Sequence, residues 1–540
     1  MAKKSRVANV ALNTTAGVAS RLTGIICNFV MRTVFIHTLG IAYTGVSSLF
    51  TDVLTMLSFA ELGISSAITY ALYKPMAQGD TRKIAMLMNF YKSAYRKVAL
   101  AVLAGGLCLL PVLKFIVPID KIDSSNPALQ EQIYGQLYII YVLYVINSAV
   151  SYLLVYKSAL LTAKQEYRYA SFVQIAFYLI RMAVECALLF TFKSLPYCFI
   201  IYLVVNILLT RLQNYVVAVI ADRHNPGLDE YRDEKLPKDE QSKLFKNIGA
   251  LMIYKVSSAI NASLDSIVIS AMFGTIWVGL VSNYRMVTTN IQKLLNQFYN
   301  SVTSSVGNLA AQSGADKQYR SFRTLFFLSF WMLCFCSTSF IVLLNPFVEI
   351  WLGAEYVKSM YLVVVLVVSA YFSSVIHPIS TFRSSNGLFV QGKFRPVAML
   401  VINVGLSVVL AVWLGSYGAE WGIVGIKLAT IISSLLTLQW YDPWVVYRNV
   451  FNRSVSEYFR RFALYFLVTA GCAALTYFLG TLVPADIGRT ARFLILCLLC
   501  VVIPNAVVIV MFRKTEEFGD ICAILGRIKS KLRRKAGSRA

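Results

Sequence analysis

Histidine and acidic side chains are scarce in this 540-residue chain. Three histidines, His37, His224 and His377, and 26 aspartates plus glutamates stand against 51 lysines and arginines. The histidines are widely separated, so no metal-ligand cluster is visible. A Walker A loop, a polar Ser-His-Asp grouping and an acidic metal motif in a loop are all missing. Long loops are missing as well, which leaves a glycosyltransferase nowhere to hold a nucleotide sugar. These absences exclude the common hydrolases and transferases, and no cofactor is expected. A disulfide framework is also excluded, although ten cysteines are present. Cys27, Cys108, Cys186, Cys198, Cys334, Cys336, Cys472, Cys497, Cys500 and Cys522 mostly lie in or beside apolar runs and read as small hydrophobes. The CxxC of Cys497 and Cys500 sits inside one such run and is read as packing, not as a zinc or redox site.

What the chain has in abundance is apolar sequence: 57% of residues are hydrophobic and the mean hydropathy is +0.64. Runs of 18 or more apolar residues recur from end to end, each long enough as a helix to cross about 30 Å of hydrocarbon. Fourteen spans are expected, at 8–36, 42–68, 91–117, 133–156, 169–191, 196–220, 248–272, 277–304, 324–345, 359–380, 396–414, 421–440, 462–481 and 491–512. The first run follows Lys3, Lys4 and Arg6 but is too long for a signal peptide and leads into further spans. With the N-terminus inside and residues at span edges counted with the loops, 37 lysines and arginines fall on the inner side and 6 on the outer. That bias is the positive-inside pattern, and one misplaced helix would scramble it. The formal charge of +25 therefore orients the chain, and no nucleic-acid partner is expected. The fold class is all-α and polytopic, with both termini inside.

An internal repeat divides these spans. Asn13 to Phe50 aligns with Asn247 to Tyr284 at an offset of 234 residues, with 7 of 38 positions identical. Arg21 falls on Lys255, Gly40 on Gly274, Tyr43 on Trp277 and Gly45 on Gly279. A buried cation and both junction glycines coincide, as in two copies of one membrane unit. The expected divisions are a six-helix bundle at 1–220, a charged cytoplasmic linker at 221–247, and a second bundle at 248–440. Two added helices at 441–512 and a basic tail at 513–540 follow. The two bundles should be pseudo-symmetric. In the tail, Phe518, Ile521, Leu525, Ile528 and Leu532 recur at helical spacing, which fits an amphipathic helix on anionic inner-leaflet lipids.

Eight cations fall within spans: Arg21, Arg32, Arg181, Arg211, Lys255, Arg285, Lys293 and Lys427. Each costs about 2.5–3.5 kcal/mol at the centre of a lone helix, so such residues face protein or a water-filled cavity. Arg21 is about 21 Å along its helix, near the midplane, with no acid at i±3 or i±4. Arg32 lies 11 residues on and shares its face. Arg285 and Lys293 bracket Asn290 on one polar stripe, and Arg211 with Gln213 and Asn214 is a weaker cavity candidate. Lys255 and Asp265 are candidates for proton or sodium coupling, with a plain buried salt bridge as the competing reading. Glu61 is a candidate for gating, against a packing or capping role. Arg181 and Glu185, at i,i+4, read as a structural pair. Transport of an anionic substrate is the class that survives.

The stretch LGIAYTGVSSLFTDVLTMLS, from Leu39 to Ser58, and FAELGISSAITYALYKPMAQGDTRKI, from Phe59 to Ile84, resemble the N-terminal region of bacterial polysaccharide flippases. These belong to the multidrug/oligosaccharidyl-lipid/polysaccharide exporter superfamily. The resemblance implies two six-helix bundles around a central cavity in the bacterial cell membrane. It also implies alternating-access movement of undecaprenyl-pyrophosphate-linked sugar units from the inner to the outer leaflet, and a neighbouring polysaccharide polymerase. The family's cationic cavity would draw on Arg21 and Arg32, then on Arg285 and Lys293, because guanidinium groups bind pyrophosphate bidentately. Related peptidoglycan-precursor (lipid II) flippases share the fourteen-helix plan and remain an alternative. A drug/cation antiporter would instead use unpaired carboxylates such as Asp52, Asp265 and Glu61. A non-transporting scaffold gives no reason for a midplane Arg21.

Overall fold

The computed structural model describes residues 6–524 and 526, apart from 58–60, 123–125, 232, 313, 389–390, 393 and 485. Its longer helices, in chain order, are α1 (Arg6–Leu57), α2 (Glu61–Gln78), α3 (Thr81–Cys108), α4 (Pro127–Val155) and α5 (Arg168–Phe192). They continue with α6 (Cys198–His224), α7 (Lys238–Phe273), α8 (Thr275–Gln312), α9 (Ala315–Trp351) and α10 (Met360–Val375). The last are α11 (His377–Ser385), α12 (Arg395–Gly415), α13 (Ala419–Val446), α14 (Ser456–Thr481) and α15 (Arg489–Phe512). No strand occurs among the described residues. In hydrocarbon the backbone must satisfy itself, which an α-helix does within one segment.

Among the described residues, eleven helical stretches are long and apolar enough to cross a membrane. The difference from fourteen has local causes. Leu12–Leu57 is one stretch where two spans were expected, because the helix kinks at Gly40 (φ 88°, ψ 174°) without ending. Ala259–Phe273 is the apolar C-terminal part of the 36-residue α7. The polar residues of α8 keep it out of the apolar set. At the repeat partner of Gly40, Gly274 (φ 98°, ψ 165°) ends α7. Both glycines hold a left-handed φ that a side chain would strain, at matching positions of the repeat.

The chain forms two compact units, 1–282 and 283–540. In the first, buried Tyr91, Tyr95, Tyr152 and Tyr156 pack with Leu160 and Leu161 between α3, α4 and α6. The linker is fastened to this unit. Glu234 pairs with Arg82 at 2.7 Å and Glu240 with Lys83 at 2.6 Å, Asn89 donates to the carbonyls of Tyr231 and Glu234, and Leu236 is buried. In the second unit the core is aromatic: Phe322 stacks on Phe326, and Phe330 stacks on Tyr465 at 4.2 Å. Large apolar residues such as Leu208, Val409, Leu467 and Val510 remain exposed, as a lipid-facing surface requires.

The tail departs from expectation. A helix at 516–524 turns its apolar stripe onto protein: Phe518 stacks on Trp331 and Ile521 is buried. Glu517 is 2.6 Å from both Arg323 and Arg461, and Asp520 is 2.8 Å from Arg320. Residues 527–540 and Leu525 lie outside the described residues. Phe518 and Ile521 cover protein because three basic side chains of α9 and α14 draw the acidic positions of the 516–524 helix inward.

Candidate functional site

The first half of α1 has three faces. Ala16, Ser20, Gly24 and Cys27 are buried on one side, against α5. Ser20 Oγ donates to Gln174 Oε1 at 3.1 Å, and a Cβ on Gly24 would lie 3.0 Å from the Tyr178 ring. Val18, Leu22, Ile26 and Val30 are 40–63% exposed and form an apolar stripe on the second side. Thr14, Arg21 and Asn28 are exposed too, but at about 100° per residue they form a third, polar stripe that ends at Arg32. A helix in contact only with lipid and protein has no use for a polar exposed stripe; one lining water does. Arg21 makes no hydrogen bond or ion pair with any described residue. Its guanidinium is available to a ligand.

Arg32 is engaged. Its Nη1 donates to Ser48 Oγ at 3.3 Å, and its Nη2 to Gly279 O at 3.4 Å and to Ser282 Oγ. Ser48 Oγ donates to Ser282 Oγ at 3.1 Å, across the repeat offset of 234. Beside this bond Gly45 meets the start of α8, where a Cβ on Gly45 would lie 1.8 Å from Thr275 O. A Cβ on Gly279 would be 3.1 Å from Gly45 N. Positions 45 and 279, and 48 and 282, therefore meet their own repeat partners. Arg32 clasps that seam.

The remaining candidates divide. On α8, Lys293 and Gln297 are exposed and Asn290 half-buried, on one stripe within the second unit; Arg285 is half-buried and offset by about 80° from Lys293. Arg211 Nη1 donates to Val150 O at 2.7 Å, where a cation favours the C-terminal turns of α4. Arg181 donates to Thr210 Oγ1 at 3.2 Å and Gln213 Oε1 at 3.3 Å. Glu185, buried, accepts from Asn206 Nδ2 at 2.7 Å. Both thus reach across to α6. Asp265 is buried, while Asp52 accepts from the adjoining Ser266 at 2.5 Å. The side chains of Lys255 and Glu61 lie outside the described residues.

A charged group that sequence reading missed lies in the second unit. Asp442 on α13 is 1% exposed and holds Arg383 Nη1 at 3.0 and 2.9 Å and Arg395 Nε at 3.2 Å. Arg383 also donates to the carbonyls of Leu388 and Gln391. Two buried guanidiniums on one carboxylate fix the loop between α11 and α12 to the end of α13.

No protein-family model matches the chain. A Yersinia pseudotuberculosis protein named for O-antigen export is 28% identical over 224 residues, 40% of this chain and 47% of that protein. The match thus spans about half the length of that relative. Among solved structures, the lipid II flippase MurJ in an inward closed conformation superposes with a TM-score of 0.63 at 13% identity. It covers 93% of this chain and 99% of its own. An inward-facing multidrug MATE transporter of the MOP superfamily gives 0.53 at 12% identity, over 77% of this chain and 96% of its own. A Vibrio cholerae MATE transporter gives 0.53 at 12%, over 83% and 100%. These proteins are transporters and flippases, and a multi-pass protein of the bacterial inner membrane agrees with all of them. The chain has the fold that MurJ and the MATE transporters share, and over part of its length it is similar to a protein named for O-antigen export.

Proposed function

We propose that this chain is an alternating-access flippase for undecaprenyl-pyrophosphate-linked oligosaccharide, carrying it from the inner to the outer leaflet for polysaccharide assembly. The observation that carries the reading is Arg21: exposed on a polar stripe separate from the apolar one, and without a described partner. A guanidinium so placed offers two parallel donors to a pyrophosphate and replaces part of its hydration. No covalent bond is broken; the barrier to moving charge and sugar through hydrocarbon is lowered. The relative named for O-antigen export supports the glycan. Lys293 with Asn290, and Arg285 beside them, are assigned the same task within the second unit.

The reading includes fourteen spans with both termini inside, supported by the 37 to 6 distribution of lysine and arginine. It also includes halves at 1–220 and 248–440, and coupling to protons or sodium through Asp265. Undecaprenyl-pyrophosphate oligosaccharide should be translocated by the purified protein in liposomes. Arg21→Ala should abolish this at normal yield of folded protein, and Arg21→Lys should retain part of it. Normal flipping per molecule by R21A would sink the assignment. Transport of lipid II in preference to the oligosaccharide carrier would favour the second reading, for which the fold likeness to MurJ speaks.

A further inference from the structure

We propose that a recess in the second unit, between the start of α14, the end of α15 and the 516–524 helix, binds the headgroup phosphate of an anionic diacyl phospholipid of the bilayer. The recess has a volume of about 550 Å³. Its cations are Arg323, Arg460, Arg461 and Lys514, and its carboxylates are Glu457, Glu516 and Glu517. The acids are already engaged. Glu517 lies between Arg323 and Arg461, Glu516 is 3.5 Å from Arg323, and Glu457 is 3.9 Å from Arg461. Arg460 and Lys514 are exposed and make no hydrogen bond or ion pair with any described residue. Four cations against three carboxylates leave one positive charge. That matches the single charge of a phosphodiester better than the multiple charge of a pyrophosphate.

The apolar part of the site continues where acyl chains would run. Leu464, Tyr465 and Phe512 line the recess. Arg460, Leu464 and Leu467 share one face of α14 at i, i+4 and i+7, and Leu467 is 67% exposed. On α15, Val510 and Met511 are 69% and 53% exposed. A charged mouth with exposed apolar residues along the same two helices suits an amphiphile better than free phosphate. Basic pockets beside transmembrane helices on the cytoplasmic side take such headgroups. The placement rests on the inside orientation of the C-terminus proposed above.

Binding is read by native mass spectrometry on the full chain, titrated with phosphatidylglycerol, phosphatidylcholine, inorganic phosphate and undecaprenyl pyrophosphate. Phosphatidylglycerol should bind in preference to phosphatidylcholine. The double variant Arg460→Ala/Lys514→Ala should bind it on the order of tenfold or more weakly, given the contribution of each basic residue near a charged lipid surface. Arg460→Lys/Lys514→Arg should bind as the parent does. Unchanged binding by the double alanine variant, equal binding of phosphatidylcholine, or saturation by inorganic phosphate alone would each overturn the proposal. So would stronger binding of undecaprenyl pyrophosphate at these residues, because the site would then belong to the substrate. The readout requires no translocation, so failure of the flippase reading and failure of this one are separable.

Discussion

Arg21 and the pair Arg383 and Arg395 are the same side chain in opposite situations. Arg383 and Arg395 are buried on Asp442, and Arg383 adds two carbonyls. Arg21 is exposed on a polar stripe with no described partner. A guanidinium removed from water must be paid for by nearby acceptors, so the first arrangement is part of the fold. The second is exposed, and its donors have no described partner. Charge inside a membrane protein is therefore not one category: burial and partners separate structure from chemistry.

The largest expected effect on stability comes from breaking the buried group. Asp442→Ala leaves two guanidiniums uncompensated and should cost about 3–5 kcal/mol, seen as loss of monodisperse protein on size exclusion. Near-parental yield and melting temperature would show that the group is not structural. Next is the glycine seam. Gly45→Ala places a Cβ 1.8 Å from Thr275 O, where backbone must shift, at a cost of about 1–3 kcal/mol; a Tm unchanged from the parent would refute that contact.

A smaller effect is expected at an exposed arginine that does have a partner. Arg320→Ala removes the pair with Asp520, and an ion pair this exposed contributes little. Hydrogen bonds from Arg320 hold the Asp520 carboxyl below the usual carboxylate range, against a smaller opposing effect of burial. A depressed pKa means that the contribution is present above the unfolded pKa and lost as pH falls through the folded one. Hydrogen exchange at 516–524 should therefore rise on acidification below the ordinary aspartate range, and less so in R320A. Identical exchange in both proteins at every pH would rule the pair out as an anchor. The smallest stability effect belongs to Arg21→Ala, within about 0.5 kcal/mol, and a Tm drop comparable with that of D442A would place Arg21 in the structural class.

Much of this was legible in the sequence. The offset of 234 residues marked Gly40 and Gly274 as equivalent, and both adopt a left-handed φ at a helix break. Arg21 and Arg32 stand out as cations in a long apolar run, and the stripe they share follows from helical periodicity. The Asp442 group was hidden for a physical reason. Arg383 and Arg395 lie at the helix ends that flank an inner loop, where orientation of the chain already accounts for basic residues, and Asp442 is 59 residues from Arg383. No spacing connects the three until the helices pack. In the tail, whether Phe518 meets lipid or Trp331 depends on a partner nearly two hundred residues away.

The seam at Gly45 and Ser48 carries a historical implication. A contact in which each position meets its own equivalent is the signature of a two-fold interface, the kind formed when identical subunits pair. Here Ser48 bonds to Ser282 and Gly45 abuts Gly279, as residues 45 and 48 would meet themselves in a homodimer of half-length chains. Gene fusion would preserve such a join while freeing each copy to diverge. The repeat equivalents of Arg21 and Arg32 are Lys255 and Ser266, so the two copies differ at their cationic positions while the seam keeps its glycines and serines.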